Sequence, residues 1–224
     1  AFAQRISDAL APLVRNRVAS SGSYERFPSA SRRFPRRLAF PLCKRLPMNK
    51  TLDYIFPNPP KGLDPAALDP QAIPEHVAVI MDGNGRWAKK RALNRLKGHK
   101  AGIEAVRETI RCASDLGVRY LTIYSFSTEN WKRPQEEVIG LMDLFAKTML
   151  AEVDGLHEEN VRVRTIGDLS ALPDETREAF EKAWLKTRDN TGMTLVVAVN
   201  YGSRQEILHA AEACVRRALA TAAE

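Results

Sequence analysis

This chain predicts an α/β fold, a parallel sheet flanked by helices, on three observations. From His76 onward, short apolar runs alternate with long segments of helical period, the pattern of repeated strand–helix units. The first run, His76-Val77-Ala78-Val79-Ile80-Met81, is β-branched and has no polar alternation, as expected of a strand buried on both faces. It ends in Asp82-Gly83-Asn84-Gly85-Arg86-Trp87, and the stretch that follows, Ala88 to Arg95, does not alternate as the return strand of a hairpin would. Strands joined through helices run parallel, and their ligands lie beyond the carboxyl ends of the strands.

Residues 1–47 are rich in Arg, Ser, Ala and Pro and nearly free of acids, so they lack the apolar surface to order themselves. Their composition fits a plastid or mitochondrial transit peptide. It also fits upstream sequence ahead of a true start at Met48, the preferred reading because a Pro-punctuated leader follows. That leader covers 48–75, and its prolines from Pro57 to Pro74 exclude a regular helix or central strand, leaving an extended approach. A domain then fills 76–224, with strands expected at 76–81, 118–125, 161–167 and 193–200. Helices are expected near 101–116, 134–158 and 174–189, and from about 203 to the end. Ile103, Val106, Ile110 and Ala113 share a face of the first, which Gly117 terminates, and Ile207, Ala211, Cys214, Val215 and Ala218 share a face of the last.

Charge narrows the function classes. Among 224 residues, 34 are Lys or Arg and 27 are Asp or Glu, a net charge of +7. Residues 1–50 hold 11 of the basic residues and only Asp8 and Glu25 as acids, leaving 23 basic and 25 acidic residues in the rest. A nearly neutral folded part carries no nucleic-acid footprint. The three cysteines lack CxxC spacing, which supports neither a disulfide framework nor a zinc site and points to a reducing, cytoplasmic compartment. No apolar run approaches the roughly 18 residues of a membrane span.

The loop at 82–87 reads as a diphosphate site. Gly83 and Gly85 allow a sharp turn and close backbone approach to a ligand, and the N–H groups of an opening helix favour phosphate. There is no Gly-Lys-Ser/Thr ending, and the glycine spacing is wrong for a dinucleotide fold. Asp82 faces either Mg²⁺, which takes one or two carboxylates plus substrate phosphates, or a catalytic proton; its simpler role is to cap the turn. Arg86, Arg95 and Arg133 offer forked donors suited to phosphate oxygens. His99, ahead of the first long helix, donates to the same anion or serves as a cap. Asn130 positions a substrate or holds a turn, and Trp131 belongs to a site or to plain packing. Two more strand ends, Ser125 to Arg133 and Asn200-Tyr201-Gly202-Ser203-Arg204, deliver similar residues to the same edge. Three such ends together favour an anion site over ordinary loop polarity.

Helix 134–158 is apolar beyond one stripe. Val138, Leu141, Met142, Phe145, Met149, Val153 and Leu156 form the stripe, and Ile139, Leu144 and Leu150 lie off it. Such a helix is buried from two sides, either between sheet and partner subunit or as the wall of an apolar cavity. A cavity beside a diphosphate loop would suit a ligand with a diphosphate head and a hydrocarbon tail.

At this point the residues resemble the cis-prenyltransferases, the undecaprenyl diphosphate synthase or isoprenyl transferase family. The likeness covers about 76–215 and rests on His76 to Ala88, on Arg95-Leu96-Lys97-Gly98-His99-Lys100-Ala101-Gly102, and on Tyr124 to Pro134. It implies a parallel-sheet fold, Mg²⁺, a homodimer, a hydrophobic tunnel and contact with a membrane surface for release of a lipid product. The implied reaction condenses isopentenyl diphosphate with an allylic diphosphate such as farnesyl diphosphate, giving a cis-polyprenyl diphosphate, undecaprenyl in the expected case. By position, Asp82 is the implied metal-binding carboxylate and acts in catalysis with Asn130. Gly83, Asn84, Gly85, Arg86, Arg95, His99 and Arg133 would hold the allylic diphosphate, Trp87 would also bind substrate, and Phe126, Ser127, Asn130 and Trp131 would shape the reacting centre.

The family's later motifs, an Arg-Thr-Ser/Gly-Gly-Glu strand end and an Arg-x-Ser segment, are absent from this sequence. They supply the isopentenyl diphosphate arginines and a metal-binding Glu, so the expectation is a fragment, inactive alone. The rival is a non-catalytic accessory subunit of a heteromeric enzyme. Such subunits are expected to lose the loop carboxylate and arginines, yet Asp82 and Arg86 are present.

Overall fold

The computed structural model describes residues 50–59 and 62–222. The expectations for 1–47 and for Met48 lie outside them. Four strands, β1 (His76–Ile80), β2 (Tyr120–Ser127), β3 (Arg162–Ile166) and β4 (Thr194–Tyr201), form one parallel sheet in the order β1-β2-β4-β3. The helices are α1 (Leu52–Ile55), α2 (Asn84–Lys89), α3 (Arg95–Asp115), α4 (Gln135–Glu158), α5 (Asp174–Thr187) and α6 (Ser203–Ala222). Because the order places β1, β2 and β4 side by side, the three polar strand ends do meet along one edge.

Alternation sets which face is covered. Val77 pairs with Leu121 and Val79 with Ile123, and Leu195 and Val197 continue the row onto β4. These side chains join Ile110 and Ala113 of α3, Leu141 and Leu156 of α4, and Phe180 and Ala183 of α5 in one core. Leu121 and Val163 are fully buried, each contributing about 1.5–3 kcal/mol by leaving water.

Four expectations need correction. β1 is an edge strand with only one covered face: Val77 is buried, but Ala78 is exposed and Ile80 is 75% exposed. A β-branched run reports strand propensity and cannot report how many neighbours the strand finds. The first long helix begins at Arg95 rather than near 101, because the Asn94 side chain accepts from the Lys97 N–H at 3.0 Å and caps it there. His99 therefore lies within α3, not ahead of it. The 57–75 leader is broken by two 3₁₀ turns, Pro65–Ala67 and Pro70–Ala72, each capped by the preceding Asp and each opening on Pro.

The fourth correction concerns α6. Ile207 is 70% and Val215 58% exposed, and Ala211, Cys214 and Ala218 are exposed with them. The apolar face is present, but among the described residues no element covers it. Among those residues, too, no helix is long and apolar enough to cross a membrane.

Candidate functional site

Gly83 makes the turn out of β1. Its φ of 101° is in the left-handed region, where a Cβ would be strained, and it caps α2. One turn into α2, the Arg86 Nη2 reaches back and donates to the Asp82 Oδ2 at 2.6 Å. Both side chains are largely exposed, so the pair adds little stability and separates easily.

α3 packs directly on this loop. A Cβ on Gly98 would lie 2.2 Å from the Asn84 carbonyl oxygen, and one on Gly102 would lie 2.9 Å from the Asn84 Oδ1. Only glycine lets the helix come this close. The Asn84 Nδ2 sits 3.3 Å from the His99 Nδ1, an arrangement in which the amide donates and the ring proton stays on Nε2. Burial first, then the Arg133 and Arg95 charges, lower the His99 pKa below its usual 6.5, with Glu137 opposing them. The imidazole is thus neutral at neutral pH.

Glu137, in the first turn of α4, is the residue that sequence reasoning missed. Its Oε1 accepts from the Arg133 Nη1 at 3.0 Å, its Oε2 lies 3.5 Å from the Arg95 Nη1, and the His99 Nε2 is 3.9 Å away. At 11% side-chain exposure it is far more enclosed than a first-turn glutamate needs to be. A polar residue in a helical first turn reads as dipole compensation, and no local pattern marked it otherwise.

The other strand ends close the site. The Asn130 Oδ1 accepts from the Ser127 backbone N–H at 3.1 Å, so this amide does hold a turn. Phe126 is 2% exposed and meets Trp131 and Phe145 edge-on. The Trp131 Nε1 donates to the Asn200 Oδ1 at 2.8 Å, and the Asn200 Nδ2 donates to the Asp168 carbonyl at 2.7 Å. Asn200 is nearly buried with a φ of 48°, and it ties the ends of β2, β4 and β3 together.

A cavity of about 460 Å³ opens from this edge. Asp82, Asn84, His99, Ser127, Asn130 and Arg133 line it near the strand ends, with Phe126 beside them. Ile103, Val106, Ile110, Leu141, Phe145 and Met149 wall it between α3 and α4. Of the off-stripe residues Leu144 lines it, whereas Ile139 is 60% and Leu150 47% exposed and both face outward. Gly83, Gly85, Arg86, Trp87, Arg95 and Trp131 lie outside the lining. Trp87 instead stacks under Arg91, 4.2 Å from its ring centre.

Among the described residues, no group of three or more His, Cys, Asp or Glu is arranged to hold a metal. One exposed carboxylate at a strand end still fits Mg²⁺, which completes its shell with substrate phosphates and water.

Residues 80–224 match the family model described as "Putative undecaprenyl diphosphate synthase". An isoprenyl transferase of Clostridium tetani is 53% identical over 150 residues, which cover 67% of this chain and 59% of that protein. One from Agrobacterium fabrum is 54% identical over 145 residues, covering 65% and 59%. The chain thus spans about three fifths of the length of these curated relatives. Among solved structures, lavandulyl diphosphate synthase from Lavandula x intermedia, in complex with dimethylallyl diphosphate, aligns with a TM-score of 0.63 and 34% identity, covering 64% of this chain and 61% of that one. A probable undecaprenyl diphosphate synthase from Campylobacter jejuni aligns at 0.54 and 30%, covering 64% and 62%. With a parallel sheet, polar strand ends and an apolar cavity in place, this chain belongs to the undecaprenyl diphosphate synthase family of cis-prenyltransferases.

Proposed function

We propose that this protein binds an allylic diphosphate and takes part in its condensation with isopentenyl diphosphate to give a cis-polyprenyl diphosphate. The cavity carries the reading, because it joins a polar mouth that can grip a diphosphate to apolar walls that can take a hydrocarbon. Arg86, Arg95, His99 and Arg133 bind phosphate oxygens, each through N–H donors suited to an anion. The Asn84 amide and Gly83 shape the loop beneath them. Asp82 would hold Mg²⁺, which when bound would neutralise negative charge on the diphosphate. Phe126, with Phe145 behind it, presents an apolar surface at the mouth, which keeps water from the allylic carbon as its C–O bond breaks.

The uncovered side of β1 and the apolar stripe of α6 support the homodimer that the resemblance implies. Binding of farnesyl diphosphate, measured by calorimetry against inorganic pyrophosphate, tests the reading. The tail should tighten binding through apolar burial. Equal affinity for the two ligands would remove the cavity from the proposal. Product analysis after incubation with both substrates and Mg²⁺ then tests the condensation itself.

A further inference from the structure

Three of the groups assigned to the diphosphate converge on one protein carboxylate. Glu137 faces Arg133, Arg95 and His99 at 3.0, 3.5 and 3.9 Å. These groups come from two separate elements: Arg95 and His99 from α3, Arg133 from the segment that enters α4. Two guanidiniums held near each other repel, and an enclosed anion between them offsets that repulsion. Glu136, its neighbour in the same helical turn, is exposed. Helix-dipole compensation would be served equally well by a solvated side chain, so the enclosure of Glu137 asks for a different explanation.

We propose that Glu137 is a resident counter-anion: a positioning residue that holds Arg133 and Arg95 together beside His99 before a ligand binds and yields them to an incoming diphosphate. The idea rests on the diphosphate reading above and deepens it. With its charge in place, Glu137 lowers the attraction of the cluster for any phosphate, which eases release of the diphosphate product. The carboxylate oxygen also fixes Arg133, so the donors are aimed before the ligand arrives and less ordering is needed on binding.

The test uses inorganic pyrophosphate as the probe. Glu137→Gln keeps an acceptor oxygen for Arg133 but removes the charge, and it should bind pyrophosphate about tenfold more tightly than the native chain, the step expected when one nearby like charge is lost. Glu137→Asp, which keeps the charge, should stay near native affinity. Unchanged or weaker pyrophosphate binding in Glu137→Gln overturns the counter-anion role and leaves the diphosphate reading standing. Absence of pyrophosphate binding by the native chain overturns both. Should Glu137→Gln not fold, the Arg133 Nε–H resonance of the native protein decides: it must shift as pyrophosphate replaces Glu137, and a signal that does not move rejects the proposal.

Discussion

Asp82 and Arg86 are joined by a 2.6 Å charged hydrogen bond across the start of α2. The carboxylate assigned to a metal is thus paired with a guanidinium assigned to the diphosphate. Each neutralises the other, and the proposed metal and diphosphate together would supply both charges at once. On the proposed reading, magnesium alone would have to compete with Arg86, whereas magnesium with a diphosphate would leave both protein groups partnered.

Calorimetry should therefore detect strong Mg²⁺ binding only when inorganic pyrophosphate is present. Asp82→Ala should remove the magnesium-dependent part of pyrophosphate binding. Arg86→Ala should cost about 1.5–3 kcal/mol, the worth of a hydrogen bond to a charged group. Equal magnesium affinity with and without pyrophosphate would argue against the shared site.

Leu144 lines the cavity and Ile139 faces solvent, so matching substitutions should separate. Leu144→Trp should leave dimethylallyl diphosphate binding near native while weakening the hold on farnesyl diphosphate, because only the longer tail reaches the added ring. Ile139→Trp should change neither. A loss shared by all ligands, together with a drop of about 1–3 kcal/mol in stability, would mean an overpacked core instead.

Gly98→Ala should be poorly tolerated. Its new methyl would sit 2.2 Å from the Asn84 carbonyl oxygen, so the 82–87 loop or α3 must move. The expected penalty is about 1–3 kcal/mol in urea unfolding, with weakened pyrophosphate binding. Full stability and full binding in this variant would show that the loop has slack.

His99 gives the site a pH signature. Because burial holds its folded pKa below the usual 6.5, the unfolded chain binds its proton first as pH falls. The stability contributed by the neutral form is complete above 6.5 and is lost as pH drops toward the folded value. Thermal unfolding followed between neutral and mildly acidic pH should show that slope, and His99→Gln should flatten it.

The fold was largely legible, because its signals are local. The β-branched runs, the helical periods and Gly117, observed with a φ of 77°, lie within a few residues of what they specify. The strand-end rule then located Asp82, Ser127, Asn130 and Arg133 on one edge, where the cavity opens. The early start of α3 was missed because Asn94 reads as a loop residue until its side chain is seen capping the Lys97 N–H.

By itself the sequence determined the order of strands and helices, the polar loop after β1 and the motifs of the family. Each of these is written in neighbouring residues through propensity, period and turn chemistry. Packing between the elements set the rest: that Glu137 gathers Arg95, His99 and Arg133, that Gly98 and Gly102 admit the Asn84 loop, and that Leu144 rather than Ile139 walls the cavity. Those outcomes depend on the angle and depth at which α3 and α4 cross the sheet. Packing between elements sets that geometry, and no single segment encodes it.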